Sequence, residues 1–244
     1  MFFSPLPTFY TIIKRRATGQ FSGVPYVATL LNCLMWTFYG TDAVAGLMLV
    51  LTINVAGLII ESTYIFIHLL FGDAESRRRT GGLFAGVMFF YMIVLLCVLG
   101  RVEIENRPVV VGSICVVIGS FMYSSPMTVI AQVIRDKSVE NMPLFLSASA
   151  LINSMVWTSY GIIAKDIFVI IPNALGVCVC IIQLLVYAHV SGFAAKGMGP
   201  PPGTLQMQPG QGFQPMMTPP QQAANNTPMP PPPPPPPAIV IANT

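Results

Sequence analysis

Two stretches of this chain carry no charged residue and hold the same run of side chains. One is Asn32-Cys33-Leu34-Met35-Trp36-Thr37-Phe38-Tyr39-Gly40, within Phe21–Thr41; the other is Asn153-Ser154-Met155-Val156-Trp157-Thr158-Ser159-Tyr160-Gly161, within Asn141–Ala164. Each stretch is long enough to cross a bilayer as a helix, for which about 20 apolar residues suffice. On a helix the asparagine, the tryptophan four places on, and the tyrosine or glycine beyond it share one face. An unpaired amide in hydrocarbon costs free energy, so that face turns towards protein or a water-filled cavity. Two such faces set opposite each other would enclose a pocket.

The rest of the chain fits a polytopic membrane protein. Of its 244 residues, 54% are hydrophobic and 9% charged, against about 25% charged in a soluble domain. The net charge of +3 forms no basic patch of the kind that binds nucleic acid. The five cysteines, Cys33, Cys97, Cys115, Cys178 and Cys180, lie in apolar runs without CxxC or Cys/His spacing. They read as small buried hydrophobes rather than metal ligands or disulfides. With no nucleophile–base pair, phosphate loop or ligand cluster, neither an enzyme nor a cofactor is expected.

Seven apolar runs follow one another: Met1–Ile13, Phe21–Thr41, Ala43 to about Phe71, Gly81–Gly100, Pro108–Ile134, Asn141–Ala164 and Ile167–Ala188. Threaded alternately, they place Lys14, Arg15, Arg16, Arg77, Arg78, Arg79, Arg135, Lys137 and Lys196 on one side, and Arg101, Arg107 and Lys165 on the other. By the positive-inside rule the first side is cytoplasmic, which puts the N-terminus outside and the C-terminus inside. The tail from about Ser191 to Thr244 holds most of the 23 prolines, among them the run Pro230–Pro237. It reads as disordered, with polyproline II in that run, and serves either as a docking peptide for SH3 or WW domains or as a solvated tail.

The duplication extends beyond the opening motif. Ser4-Pro5 pairs with Ser125-Pro126, Ile13-Lys14 with Ile134-Arg135, and Asn54-Val55-Ala56-Gly57 with Asn173-Ala174-Leu175-Gly176. Each copy is thus three helices, and the unpaired run Gly81–Gly100 supplies the extra crossing that sets the copies parallel. The expected architecture is an all-α membrane protein of seven transmembrane helices, built as two parallel three-helix bundles around a linker helix. Its divisions are residues 1–71, the linker and flanking loops 72–107, residues 108–190, and the tail 191–244. Seventeen residues, Pro108–Ser124, precede Ser125-Pro126, whereas Met1–Phe3 precede Ser4-Pro5. The first helix is therefore expected to be truncated relative to its repeat.

These residues resemble the SWEET sugar transporters from Ser4 to about Val190. The resemblance rests on Ser4-Pro5 with Thr8-Phe9, Gln20-Phe21-Ser22-Gly23-Val24-Pro25-Tyr26, Leu30-Leu31-Asn32-Cys33, Tyr123-Ser124-Ser125-Pro126, Lys137-Ser138-Val139-Glu140-Asn141-Met142-Pro143 and Ile171-Pro172-Asn173-Ala174-Leu175-Gly176. It implies a passive, bidirectional uniporter of mono- or disaccharides working by alternating access. It also implies that Asn54 and Asn173 grip sugar hydroxyls, while Asn32, Trp36, Asn153 and Trp157 line the pocket. Met122 looks like the bulky residue of monosaccharide carriers. Pro5, Pro25, Pro126 and Pro143 match the family's four proline hinges, and Tyr39, Tyr160 and Asp166 its outer gate. The expected setting is the plasma membrane, among lipid, as a homo-oligomer.

The chemistry is compatible with this. An amide donates and accepts at once, as a sugar hydroxyl does, and an indole covers the apolar C–H face of a pyranose. Neither carries charge, so the ligand is a neutral molecule. A membrane asparagine can also be interhelical glue, worth about 0.6 kcal/mol, but four at repeat-related positions favour binding. Glu61, whose repeat partner is Cys180, is read as a helix-packing residue in preference to a proton site. His68 and His189 are read as interfacial. The competing class is a receptor, or a partial subunit that joins complete transporters.

Overall fold

The computed structural model describes residues 5–19, 21–139, 142 and 144–195, and every regular element among them is helical. Helix α1 is Leu6–Arg15, α2 is Val24–Gly40, α3 is Met48–Phe71 and α4 is Ala74–Arg101. After a 3-10 turn at Ile104–Asn106 come α5, Arg107–Met122; α6, Ser124–Asp136; α7, Leu144–Ala164; and α8, Ile167–Ala195. Hydrocarbon offers the backbone no partners, so apolar runs of this length bond within themselves as helices. Among the described residues four segments are long and apolar enough to span a membrane: Met48–Phe71, Ala74–Arg101, Ile104–Asp136 and Ile167–Gly192. The fold is a seven-helix membrane fold in which α5 and α6 form one crossing.

That crossing breaks at Tyr123, which caps α5 and opens α6. Pro126 follows three residues later, and its missing N–H leaves the Met122 carbonyl without its helical donor. The linker helix begins earlier than its apolar run. Residues 74–80, read from sequence as a polar loop, belong to α4, because the Asp73 carboxylate accepts from the Ser76 amide at 2.7 Å and caps the helix. Hydropathy marks the part of a helix in lipid, and a cap marks where it starts. The turn after α2 is also longer than expected, since α3 opens at Met48 and residues 41–47 form the bend.

Within each half the third helix sits in the middle: α3 lies between α1 and α2, and α8 packs on α5, α6 and α7. Repeat-related features recur in detail. Arg16 after α1 and Lys137 after α6 both take the left-handed backbone, at φ 52° and 49°. A Cβ on Gly40 would stand 2.6 Å from the Leu51 amide nitrogen, and one on Gly161 would stand 2.9 Å from Ile170 Cγ1. Each glycine lets its helix cross closely over the next. The ten residues of α1 correspond to α6, and the counterpart of α5 is not among the described residues.

The halves lie parallel. Both hairpin bends, α2–α3 and α7–α8, sit at one end of the molecule, joined by a hydrogen bond from the Tyr39 hydroxyl to Asp166 Oδ2 at 2.6 Å. We call this the turn end; the opposite end carries Arg15, Arg77 and Arg135 and is the basic end. One apolar cluster at the turn end draws on both halves and the linker, through Met35, Val50, Val98, Val111, Cys115 and Val169. At the basic end each half keeps its own cluster, with Phe9, Tyr26 and Tyr64 in the first and Val133, Met142 and Val190 in the second. Among the described residues the backbones of the two bundles pack where α2 meets α5, and the Tyr39 ring of α2 also meets Phe168 of α8 at 6.2 Å. The molecule is closed at the turn end and divided at the basic end.

Candidate functional site

Helices α2 and α7 hold their matched aromatic residues in the same arrangement. The Trp36 ring meets Tyr39 edge-on at 5.5 Å and 87°, and Trp157 meets Tyr160 at 5.6 Å and 84°. Trp36 is 9% exposed within the turn-end cluster, and Trp157 and Tyr160, half-buried, pack against the same cluster. Both indoles face protein. Their cover differs because α5 lies over α2.

Asn32 is half-buried, and its Oδ1 is shut from solvent without a hydrogen-bond partner. A Cβ on Gly119 would lie 4.0 Å from that oxygen and 3.5 Å from Pro172 Cβ. Residues of α2, α5 and α8 thus converge on one acceptor that has no donor within the protein. Asn153, its repeat partner on α7, is also half-buried.

Asn54 and Asn173 are held alike. Asn54 Nδ2 donates to the Val50 carbonyl at 2.8 Å, and Asn173 Nδ2 to the Val169 carbonyl at 2.8 Å. One N–H fixes each rotamer, leaving the second N–H and the carbonyl oxygen for another partner. Both are half-buried, on α3 and α8, which do not pack on each other. The structure therefore does not bring these two amides together. Met122, at the end of α5, is more exposed, at 36%.

Asp166 does two things. Its Oδ2 accepts from Tyr39, and its Oδ1 accepts from the Val169 amide at 3.0 Å, capping α8. The repeat position in the first half is Leu47, which has no carboxylate, so the bond between bends is made once. The prolines stand at helix starts: Pro5 caps α1, Pro25 lies in the first turn of α2, and Pro126 in the first turn of α6. There a missing N–H costs least. Pro143, and the proline-rich tail beyond residue 195, lie outside the described residues.

Sequence reasoning missed Pro172 as an interruption in its own right. It sits inside α8 beside Asn173 and removes the helical bond to the Phe168 carbonyl; a proline within an apolar run was the available signal. His68, expected at the interface, is fully buried, with Nε2 3.0 Å from the Phe21 carbonyl oxygen. Glu61 is 4% exposed, and its Oε2 has no hydrogen-bond partner. No cluster of metal-ligating side chains occurs among the described residues.

The family model described as "Sugar efflux transporter for intercellular exchange" matches residues 1–76 and 109–193. The bidirectional sugar transporter SWEET7b of Oryza sativa subsp. japonica is 46% identical over 190 residues, covering 77% of this chain and 72% of the relative. SWEET4 of Arabidopsis thaliana is 40% identical over 190 residues, covering 77% and 76%. Among solved structures, that of a eukaryotic SWEET transporter at 3.7 Å resolution superposes with a TM-score of 0.75 at 35% identity, covering 78% of this chain and 90% of the other.

Proposed function

The chain belongs to the SWEET family of sugar transporters, and on that footing we propose that it carries neutral sugars across a membrane in both directions, by alternating access and without an energy source. The observation that carries this reading is the paired presentation of Asn54 and Asn173. Two uncharged amides, fixed by the same backbone bond, stand on the middle helices of two halves that meet at one end only. A sugar bound between the two halves would exchange hydroxyl hydrogen bonds with these amides and with Asn32 and Asn153. Trp36 and Trp157 would cover its apolar face. Met122 at the mouth of α5 favours a monosaccharide over a disaccharide.

In this reading the basic end faces the cytoplasm, at the plasma membrane, and the structure is the state open to that side. Rocking the halves about the sugar would part Tyr39 from Asp166 and bring the separate basic-end clusters together, with Pro5, Pro25, Pro126 and Pro143 at the bends and Tyr160 at the gate. The halves would correspond to residues 1–71 and 108–190. A homo-oligomer is supported by Gly82 and Gly86 on α4, exposed and four apart as in closely packed membrane helix pairs. The tail would offer its proline run to an SH3- or WW-type domain.

The test is uptake of labelled glucose and sucrose by proteoliposomes containing the purified chain. Saturable flux without ATP or an ion gradient, greater for glucose, is the expected result. No flux of either sugar by a folded protein would favour a receptor or an accessory subunit.

A further inference from the structure

Arg107 opens α5, and its guanidinium donates to three backbone carbonyls. Nε–H reaches Val102 at 3.1 Å, Nη1–H reaches Ala43 at 3.3 Å and Nη2–H reaches Leu99 at 3.3 Å. Leu99 lies in the last turn of α4 and Val102 caps it, where carbonyls lack helical donors. Ala43 belongs to the bend between α2 and α3. One side chain therefore joins the first half, the linker helix and the second half at the turn end. No carboxylate stands within 4.0 Å of it among the described residues, where the ion pair is Arg135–Asp136. A planar cation with five donors can serve three carbonyls at once, as a point charge cannot. The bend it holds is continuous with Tyr39, whose carbonyl accepts from the Ala45 amide at 3.1 Å, and Val44 of that bend is buried.

We propose that Arg107 is a positioning residue of the turn-end closure, a second latch beside Tyr39–Asp166 that releases Ala43 whenever this end opens. The inference rests on the alternating-access reading above. Its partners are carbonyls that any residue would supply, so the latch depends on the identity of position 107 alone. A residue that only capped α4 would alter stability and leave the opening equilibrium untouched.

The experiment measures that equilibrium directly. Spin labels are placed at Asp42→Cys and Ile163→Cys, one near each bend, in a Cys97→Ala/Cys178→Ala background, and their distance is read by double electron–electron resonance in proteoliposomes. Arg107→Ala should raise the longer-distance, open population about five- to tenfold, the loss of one charge-assisted bond at a partly exposed site. Arg107→Lys should fall between the two, and it also serves if the alanine variant fails to fold. Both are repeated with Tyr39→Phe, where the open population starts higher. Unchanged distance distributions in both backgrounds, with a fall in melting temperature alone, would overturn the proposal and leave Arg107 a helix cap. Sugar flux in the same vesicles is a separate readout: its absence in every variant would sink the transport reading, while the distances still decide the role of Arg107.

Discussion

The Tyr39 hydroxyl stands 2.6 Å from Asp166 Oδ2, across 127 residues of sequence, and joins the last turn of α2 to the first residue before α8. A hydrogen bond to a carboxylate is worth about 1.5–3 kcal/mol when partly buried. Tyr39→Phe keeps the ring against Trp36 and removes only this bond. It should raise access to the turn end about tenfold or more, read as the labelling rate of a pocket-facing cysteine by a membrane-impermeant maleimide. Unchanged labelling would mean that apolar packing, not this bond, closes the end.

Asp166→Ala removes the cap on the Val169 amide as well. It should combine the opening seen in Tyr39→Phe with a stability loss of about 1 kcal/mol, typical of a lost N-cap. Thermal unfolding in detergent, compared between the two variants, separates the contributions. Equal melting temperatures would remove the capping role.

Asn54→Ala and Asn173→Ala each delete an amide whose single backbone bond contributes little to the fold. Sugar uptake should be lost in both, with expression and melting temperature near those of the unaltered chain. Thr63→Ala is the control, since that hydroxyl bonds only to the Ile59 carbonyl on an exposed face. Retained flux in either asparagine variant would rule out the pocket between α3 and α8.

Gly40→Ala and Gly161→Ala test whether the repeats are packed alike. At Gly40 the new methyl meets the Leu51 backbone, which cannot yield; at Gly161 it first meets a side-chain carbon of Ile170. Overpacking of this kind costs about 1–3 kcal/mol, and Gly40→Ala should lie at the upper end and Gly161→Ala at the lower. Melting temperatures in the reverse order would contradict the packing described.

Glu61→Gln keeps size and hydrogen-bonding capacity while removing the ability to ionise. If Glu61 serves packing, the variant should fold and conduct sugar as before, with or without an imposed pH gradient. Accumulation of sugar down a proton gradient by the unaltered chain, lost in Glu61→Gln, would instead make this carboxyl a coupling site.

Much of this was legible in the sequence because the repeat reports itself through residue types that lipid penalises. An asparagine is costly in an apolar run unless turned inward; the Asn32 carbonyl oxygen is shut from solvent, and both tryptophans pack at the turn-end cluster. What could not be read is tertiary. Nothing in the spacing pairs Tyr39 with Asp166, because Leu47 at the matching position breaks the symmetry. The burial of His68 depends on Thr80 of α4 closing over Gly23, a contact between helices that no periodicity encodes. The hinge expected at Pro126 gave no exact position for the break, because a proline inside an apolar run can either bend a helix or begin one. The helix is interrupted three residues earlier, at Tyr123.

The two basic-end clusters, one inside each half, share no side chain. In the proposed rocking motion either half would swing without pulling apart its own interior. Resistance to motion is concentrated where Tyr39, Arg107 and the α2–α5 contact hold the opposite pole. Changes in the pace of the cycle should accordingly map to a few positions there, while substitutions deep in either bundle alter how long the protein survives rather than how fast it turns over.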